Sequence, residues 1–306
     1  MPYQYEDAIL AEASSDASFL FLTVDPAQKQ QVIETLKNIP QLVSEQRQLF
    51  PDCELLGLVG ISIHGWRALF GDKPTPAELT EQPSLKGPLL SVRDIPYDLV
   101  LHIRSLRRDA THSLALTLYR AFRQSVTLAQ QTDCFKYLDN RDFTGFVDGT
   151  ENPVDDQRRK VALIDQDSEL MGCSYLNLME FVHNLPKWEA EPLKTQEDTY
   201  GRTKADNIEY ASADKPLTAH TKRTSLKDEN GNSLEILRHS MPFGNVERQG
   251  LMFASYSKTP QHFNKMLRSM VEGDDQGNVD HLMAYTQSEG ASLFFVPSAN
   301  FLHRLA

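Results

Sequence analysis

The most unusual stretch of this chain reads Asn140-Arg141-Asp142-Phe143-Thr144-Gly145-Phe146-Val147-Asp148-Gly149-Thr150-Glu151-Asn152-Pro153. Two glycines bracket Asp148, and glycine permits backbone conformations and close approaches that a side chain would block. This pattern indicates a carboxylate held close to a flat or bulky ligand. An ordinary turn, stabilised by hydrogen bonds to the aspartate, explains the same residues, and spacing alone favours the turn.

On the N-terminal side of this stretch, strand and helix patterns are mixed. Apolar runs rich in β-branched residues predict strands over residues 18–24, 55–62 and 98–105. Apolar residues at helical spacing predict helices over residues 26–39, with Asp25 as the N-cap, and 109–122. The proline-rich residues 70–88 are interpreted as a loop or a broken helix.

The C-terminal side repeats this mixture. Strands are predicted over residues 174–182, 225–227, 233–239, 250–257 and 292–296. Helices are predicted over residues 187–193, 196–200 and 260–272. Asn230-Gly231 is a strong hairpin signal between the second and third of these strands. Strands and helices do not alternate strictly, which favours an α+β fold with largely antiparallel sheets over a doubly wound parallel sheet.

Composition excludes several classes of protein. The 306 residues carry a net charge of −11, which is the wrong sign for binding a polyanion, so no nucleic acid partner is expected. The most apolar run has only the length of a strand, so no membrane partner is expected. Three cysteines without C-x-x-C spacing argue against a disulfide framework and a structural zinc site, and favour a reducing compartment. The acidic N-terminus lacks the order of a secretory signal, and we expect a cytoplasmic protein.

Most short motifs with a known chemistry are missing from the sequence. It contains neither glycine-rich nucleotide-binding pattern, no GxSxG elbow and no HExxH pair. A calcium loop that begins at Asp148 would place Pro153 where the EF-hand requires glycine.

The quoted stretch resembles the GxxDG signature of the dye-decolourising (DyP-type) haem peroxidases, in the form typical of their bacterial B-type group. Further segments resemble the motifs of this family in the same order. They are Gly172-Cys173-Ser174-Tyr175 (with Cys173 in place of a glycine), Gly201-Arg202-Thr203-Lys204, Ala219-His220, Leu237-Arg238 with Met241-Pro242, and Phe294-Phe295-Val296-Pro297-Ser298. The ordered set covers most of the second half and is a specific signal, whereas residues 98–103 give a weaker likeness in the first half.

The resemblance implies a fold and an activity. The expected fold consists of two ferredoxin-like α+β domains with antiparallel sheets, the duplicated arrangement of the dimeric α+β barrel superfamily. We expect an N-terminal domain over residues 1–139, a haem-binding domain over 140–306, and a homodimer or a larger homo-oligomer. The expected activity is the reduction of hydrogen peroxide with oxidation of dyes, phenols or other small one-electron donors.

The family binds haem b, and the resemblance places the ligand of its iron at His220, with one haem per chain. His239 is a weaker candidate, because alternation along a strand turns its side chain away from the face that Arg238 uses. Asp280 resembles the acid that hydrogen-bonds the family's iron-ligating imidazole. Asp280 is equally well explained as the N-cap of a short helix.

On the opposite side of the haem, the resemblance assigns Asp148 the transfer of the peroxide proton. It assigns Arg238 the stabilisation of charge on the departing oxygen, although an exposed arginine in a salt bridge is the default explanation for such a residue. Ser240 stands where many B-type members have asparagine, so the hydrogen-bond network there is an open question. Burial raises the pKa of a carboxyl and a nearby guanidinium lowers it, and we expect Arg238 to keep Asp148 ionised.

The rim of the haem is assigned more loosely. Arg202 resembles the arginine that binds a haem propionate, for which its two parallel donors are suited, although a surface arginine explains it too. Gly149, Thr150 and Glu151 are expected at the haem edge.

Three alternatives compete with this interpretation. A chlorite dismutase shares the fold but does not use the GxxDG acid. A haem-handling protein would bind haem, or release its iron, without significant peroxidase turnover. A haem-free α+β binding protein would show no haem absorption after haem is supplied.

Overall fold

The computed structural model describes residues 4–167 and 169–305. Its strands are β1 (Asp16–Val24), β2 (Leu56–Ser62), β3 (Leu85–Lys86), β4 (Ser91–Val92), β5 (Leu99–Ser105), β6 (Val126–Phe135), β7 (Ser174–His183), β8 (Leu237–Arg238), β9 (Met241–Gly244), β10 (Gln249–Ser257) and β11 (Thr286–Val296). Its α-helices are α1 (Asp7–Leu10), α2 (Lys29–Leu49), α3 (Ile63–Phe70), α4 (Arg108–Ala121), α5 (Asp156–Ala162), α6 (Leu185–Glu189), α7 (Leu193–Tyr200), α8 (His220–Thr224), α9 (Gln261–Val271) and α10 (Ala299–His303). Short 3₁₀ helices cover Pro26–Gln28 and His281–Tyr285.

The main elements of each half follow the ferredoxin-like order of strand, helix, two strands, helix and strand, where β8 and β9 together count as one strand because both pair with β10. The first half runs β1, α2, β2, β5, α4 and β6, and the second runs β7, α6 to α8, β8 to β10, α9 and β11. Every pairing between the strands of the large sheet is antiparallel. The predicted α+β class with antiparallel sheets is therefore confirmed, whereas the boundary between residues 139 and 140 stays a prediction.

The two halves do not keep separate sheets. Their strands form one sheet in the order β7-β11-β2-β5-β1-β6-β9-β10, and β10 pairs with β7 again, so that the sheet closes on itself. The halves meet where β11 pairs with β2, with Phe295 opposite Ile61, and where β6 pairs with β9, with Cys134 opposite Phe243. Inside the closed sheet, His102 Nδ1 lies 2.7 Å from the hydroxyl of Tyr256, which links the two halves through buried side chains.

Differences between the predicted and observed elements have local reasons. The helix predicted to end at residue 39 continues to Leu49 and contains Pro40. The strand β6 was not predicted, because only every second side chain of its central part is turned inward and its sequence there is polar. The predicted hairpin around Asn230-Gly231 is reduced to one bridge between Lys227 and Ser233, and Asp228 accepts hydrogen bonds from main-chain amides within the turn.

In the described ranges 4–167 and 169–305, no helix has both the length and the apolar character needed to cross a membrane.

Candidate active site

A cavity of about 420 Å³ lies in the C-terminal half. The outward-facing side chains of β7 and β10 line it from one direction, and α8 and α9 line it from others. Most of its apolar lining comes from Phe181, Leu251, Phe253, Phe263, Met266 and Met270. A more open cleft of about 790 Å³ contains none of the predicted site residues.

The cavity brings most of the predicted residues together. Seven of them line it, namely Asp148, Gly149, Thr150, Glu151, Arg202, His220 and Arg238. Asp280 and Ser240 are not among the residues that line it. The long loop after β6 supplies residues 148–151, the segment after α7 supplies Arg202, α8 begins with His220, and the short strand β8 ends with Arg238. These elements are far apart in the sequence.

His220 is held by a buried carboxylate. Its Nδ1 lies 2.6 Å from Oδ2 of Asp280, whose side chain is fully buried. Oδ1 of Asp280 accepts a hydrogen bond of 2.9 Å from the amide of Leu282, at the start of a 3₁₀ helix. Asp280 therefore contacts the His220 ring and caps the 3₁₀ helix at the same time, because each of its oxygens has its own partner. A carboxylate can only accept, so Nδ1 carries the proton and the lone pair of Nε2 is left for a metal.

His239 is placed differently. It lies in the interior of the closed sheet, where Nδ1 is 2.9 Å from Nη1 of Arg104 and Nε2 is 2.7 Å from the carbonyl oxygen of Ile9. Burial and the charge of Arg104 lower the pKa of His239 well below its ordinary value. Both ring nitrogens of His239 therefore have hydrogen-bond partners. As expected from alternation along a strand, the side chain of His239 points away from the large cavity that Arg238 lines.

The loop that carries Asp148 folds back on itself. Arg141 forms an antiparallel bridge with Val147, and the amide of Asp148 donates to the carbonyl of Asn140 over 2.9 Å. Gly145 has a φ of +87°, and a Cβ there would lie 2.4 Å from Cε of Lys204. The positive φ of the turn therefore favours glycine at this first position of the motif, whereas the end of the Lys204 side chain could move aside.

Asp148 and Arg238 both reach the cavity without pairing. Asp148 Oδ1 accepts a hydrogen bond of 2.7 Å from the amide of Gly149. Within the described residues, the guanidinium of Arg238 has no hydrogen bond or ion pair, and its Nε is buried without a partner. An exposed arginine in a salt bridge is therefore the wrong explanation for Arg238, whose charge stays available to a ligand.

The protonation of Asp148 is set by opposing effects. Burial raises the pKa of its carboxyl, while the charge of Arg238 and the Gly149 amide lower it. Burial is the largest effect, and the pKa lies above the ordinary value. The expectation that the cation would dominate is corrected here, because the partly enclosed carboxylate loses more hydration than a guanidinium beyond ion-pair distance restores.

Ser240 faces a second, smaller cavity of about 260 Å³, which is also lined by Asp148 and Arg238. The Ser240 hydroxyl accepts a hydrogen bond of 3.3 Å from the amide of Ala254. The serine is therefore tied to the neighbouring strand and does not enter the larger cavity.

Arg202 is buried, with Nη1 donating to Glu151 over 3.2 Å and to Glu209 over 2.9 Å, and Nε donating to Asn207 over 2.9 Å. Thr150 accepts a hydrogen bond of 2.8 Å from Asn207 as well. These contacts explain why the predicted rim residues lie together, and they rule out a free surface arginine at this position.

A second carboxylate and imidazole at the cavity were not predicted. Asp142 Oδ1 lies 3.0 Å from Nε2 of His183, and Nδ1 of that ring lies 3.1 Å from the hydroxyl of Thr286. Burial acts against ionisation of Asp142, yet the charge and the hydrogen bond of His183, together with Thr144, lower its pKa. No sequence signal connects Asp142 with His183, because the two residues are 41 positions apart and meet only in the folded chain.

The cavity fits a haem by its chemistry. A haem has a large apolar face, an iron that accepts one imidazole, and two propionates that need cations. The cavity offers apolar side chains, the free Nε2 of His220, and Arg202 together with Lys227 among its lining residues. The orphaned Nε of Arg238 is a further polar group that a bound ligand would satisfy.

Comparison with known proteins agrees with this chemistry. Residues 6–136 match the model of the N-terminal domain of Dyp-type peroxidases, and residues 139–301 match the C-terminal one. A dye-decolorizing peroxidase of Mycolicibacterium paratuberculosis is 36% identical over 96% of this chain and 84% of its own length.

Solved structures give the same result. A putative Dyp-type peroxidase of Shewanella oneidensis has a TM-score of 0.94 and 43% identity, with 97% of each chain covered. A variant of DypB from Rhodococcus jostii, solved in complex with heme, has a TM-score of 0.92 and 30% identity over 96% of each chain. By these matches and by its fold, the chain is an enzyme of the Dyp-type peroxidase family.

Proposed function

We propose that this chain binds one haem b through His220 and reduces hydrogen peroxide while it oxidises dyes, phenols or other one-electron donors. The observation that carries the proposal is the convergence of His220, Asp148 and Arg238 at one largely apolar cavity, with Asp280 behind His220. His220, held by Asp280, leaves Nε2 free, and Asp148 and Arg238 reach the cavity without pairing with each other.

The chemistry is balanced when peroxide takes up two electrons and two protons and becomes two waters. A haem held by His220 would supply the two electrons, and two one-electron donor molecules would replace them. Asp148 accepts a proton from one peroxide oxygen and returns it to the other, which then leaves as water. Arg238 holds a permanent positive charge beside that departing oxygen, and this lowers the free energy of the charge that develops as the O–O bond breaks.

Asp280 has a supporting part in the proposal. It fixes the proton of His220 on Nδ1 and the orientation of the ring. A hydrogen bond from an imidazole to a carboxylate also increases the electron donation of the other nitrogen to a metal. The Arg202 guanidinium would donate hydrogen bonds to a haem propionate, which would replace its contact with Glu151.

The test uses haem-loaded protein mixed rapidly with hydrogen peroxide. We expect a high-spin ferric spectrum that changes with peroxide, and dye oxidation that depends on both substrates. Asp148→Asn should slow the peroxide step by about 10²–10⁴-fold, while Asp156→Asn, at an exposed position in the same half, should not. Haem binding with no peroxide-dependent turnover would instead support the haem-handling alternative, and an unchanged rate in Asp148→Asn would remove the role of Asp148.

We propose further that the chain assembles with itself as a homodimer or a larger homo-oligomer and works in the cytoplasm. Cys53, Cys134 and Cys173 are free and buried, which suits a reducing compartment. Light scattering after size-exclusion chromatography would test the assembly, since a monomer at working concentration would contradict it.

A further inference from the structure

We propose that Asn152 is a positioning residue for Arg238, and that it sets the distance between Arg238 and Asp148. The inference rests on the proposed function, because it gives Asn152 its effect only through Arg238.

Arg238 lies on the open edge of the sheet. The two-residue strand β8 stands at the end of the strand order and pairs only with β10 among the described strands, where Arg238 is opposite Ser255. The amide of the next residue, His239, donates to Ala254 on β10 over 2.8 Å. Successive amides of a strand point to opposite sides, so the amide and carbonyl of Arg238 point away from β10.

Asn152 satisfies both of these edge groups. The amide of Arg238 donates to Oδ1 of Asn152 over 2.9 Å, and Nδ2 of Asn152 donates to the carbonyl of Arg238 over 2.8 Å. A side-chain amide has the same donor and acceptor as a peptide, so Asn152 takes the place that a neighbouring strand would take. The two hydrogen bonds restrain both the amide and the carbonyl of Arg238.

The same asparagine is tied to the loop of the carboxylate. The amide of Asn152 donates to the carbonyl of Gly149 over 3.0 Å, and the amide of Gly149 donates to Asp148 Oδ1 over 2.7 Å. A continuous series of hydrogen bonds therefore runs from the Asp148 carboxylate to the main chain of Arg238. A rigid link of this kind fixes the separation of two groups that must act on one small molecule.

The link matters because the guanidinium has no other anchor. Among residues 4–167 and 169–305 it makes no hydrogen bond or ion pair, and Nε is buried without a partner. The placement of the charge therefore depends on where the main chain of Arg238 is held. A displacement of the Arg238 main chain would therefore also displace its guanidinium.

The decisive experiment is a double-mutant cycle on the haem-loaded protein. Asn152→Ala should lower the second-order rate constant for reaction with peroxide by about tenfold or more, since small displacements of catalytic groups carry large penalties. In an Arg238→Leu background, Asn152→Ala should have no further effect, because coupled residues are not additive. Equal effects of Asn152→Ala in both backgrounds would overturn the proposal.

Hydrogen exchange provides a readout that does not depend on activity. Asn152→Ala should raise the exchange rate of the Arg238 amide, measured by fragment mass spectrometry, while the ferric haem spectrum stays that of the parent. The matched control is Asn245→Ala, which also removes two contacts with main-chain amides, those of Glu247 and Arg248, at an exposed turn in the same half. The control should change neither the peroxide rate nor exchange at Arg238.

A second variant covers the case in which Asn152→Ala does not fold. Asn152→Asp keeps the shape and the acceptor but loses the donor to the Arg238 carbonyl, and should give an intermediate loss of rate. Failure of the inference differs from failure of the proposed role of Arg238. If Arg238→Leu reacts with peroxide at the parent rate, the role of Arg238 falls; if it is slow and Asn152→Ala is not, only the inference falls.

Discussion

The two halves share a chain order but differ in the space between helices and sheet. In the N-terminal half, α2 and α4 close directly on the strands: a Cβ at Gly57 would lie 3.0 Å from Leu114 and 3.1 Å from Val43. In the C-terminal half, α8 and α9 leave a cavity of about 420 Å³ over the corresponding face. The proposed site thus lies where the helices stand away from the sheet, although the two halves share the order of their elements.

The difference also decides where polar groups can lie. The tightly packed half buries Leu36, Leu114 and Leu118 completely. The open half places His220, Asp148 and Arg238 at the cavity, where a filled apolar core would have to bury their polar groups at a cost in free energy. If the first half is a packed support and the second half a binding site, substitutions in the two halves should have different effects.

The largest effect is expected at His220. His220→Ala should abolish the high-spin ferric haem spectrum, or weaken haem affinity by at least about 100-fold, because no other free imidazole was identified at the cavity among the described residues. Absorption spectra during haem titration measure this. His303→Ala, at an exposed position of α10, serves as the control, and retention of the parent spectrum in His220→Ala would show that the cavity does not bind haem in the proposed way.

A matched pair of truncations tests the comparison directly. Leu114→Ala should lower the free energy of unfolding by about 2–5 kcal/mol and leave haem affinity unchanged, because it opens a hole in a filled core. Met270→Ala, which enlarges an existing cavity, should cost the haem-free protein less stability and should weaken haem binding. Denaturant unfolding and haem titration give the two quantities. Equal costs in the two halves would mean that the cavity is not open in solution.

The acid limit of the peroxide step tests the charge within the open half. Asp148 must be ionised to accept a proton, and its pKa is raised, so the rate should fall as pH drops through a value above the ordinary aspartate range of about 4. Arg238→Leu removes an effect that lowers this pKa and should move the acid limit to higher pH. The rate of the peroxide step against pH, in both proteins, decides the matter. A limit that stays in place or moves to lower pH would separate Arg238 from the ionisation of Asp148.

The smallest effect is expected at Asp280, which lies behind the cavity. Asp280→Asn removes the negative charge that increases electron donation by His220, and should make the haem reduction potential more positive while haem still binds. Spectroelectrochemistry measures the potential. A potential equal to that of the parent would leave Asp280 with its helix-capping function alone.

The features that could be predicted from the sequence are those that depend on local patterns of residues. The strands around residues 18–24 and 98–105 were predicted because their apolar runs fill both faces of a buried sheet. Asp148, His220 and Arg238 were found through motifs whose order resembles a family, and the structure brings them to one cavity.

The features that were missed depend on pairing between distant residues. The strand β6 is polar and half exposed, so its sequence lacks an apolar run. Asn152 lies inside the quoted motif, yet its contact with Arg238 spans 86 positions and leaves no local signal. The raised pKa of Asp148 required knowledge of how deeply the loop is enclosed, which spacing does not give.

The closure of the sheet has a consequence for how the chain folds. Each half alone would present two strands with one unpaired edge, β2 and β6 in the first half and β9 and β11 in the second, and such edges recruit other chains. The pairing of β11 with β2 places Phe295 opposite Ile61, so it forms only after residue 295 has left the ribosome. Contacts of such long range slow folding. Separately produced halves should therefore aggregate, and their co-expression should restore the closed sheet if the pairing itself drives assembly.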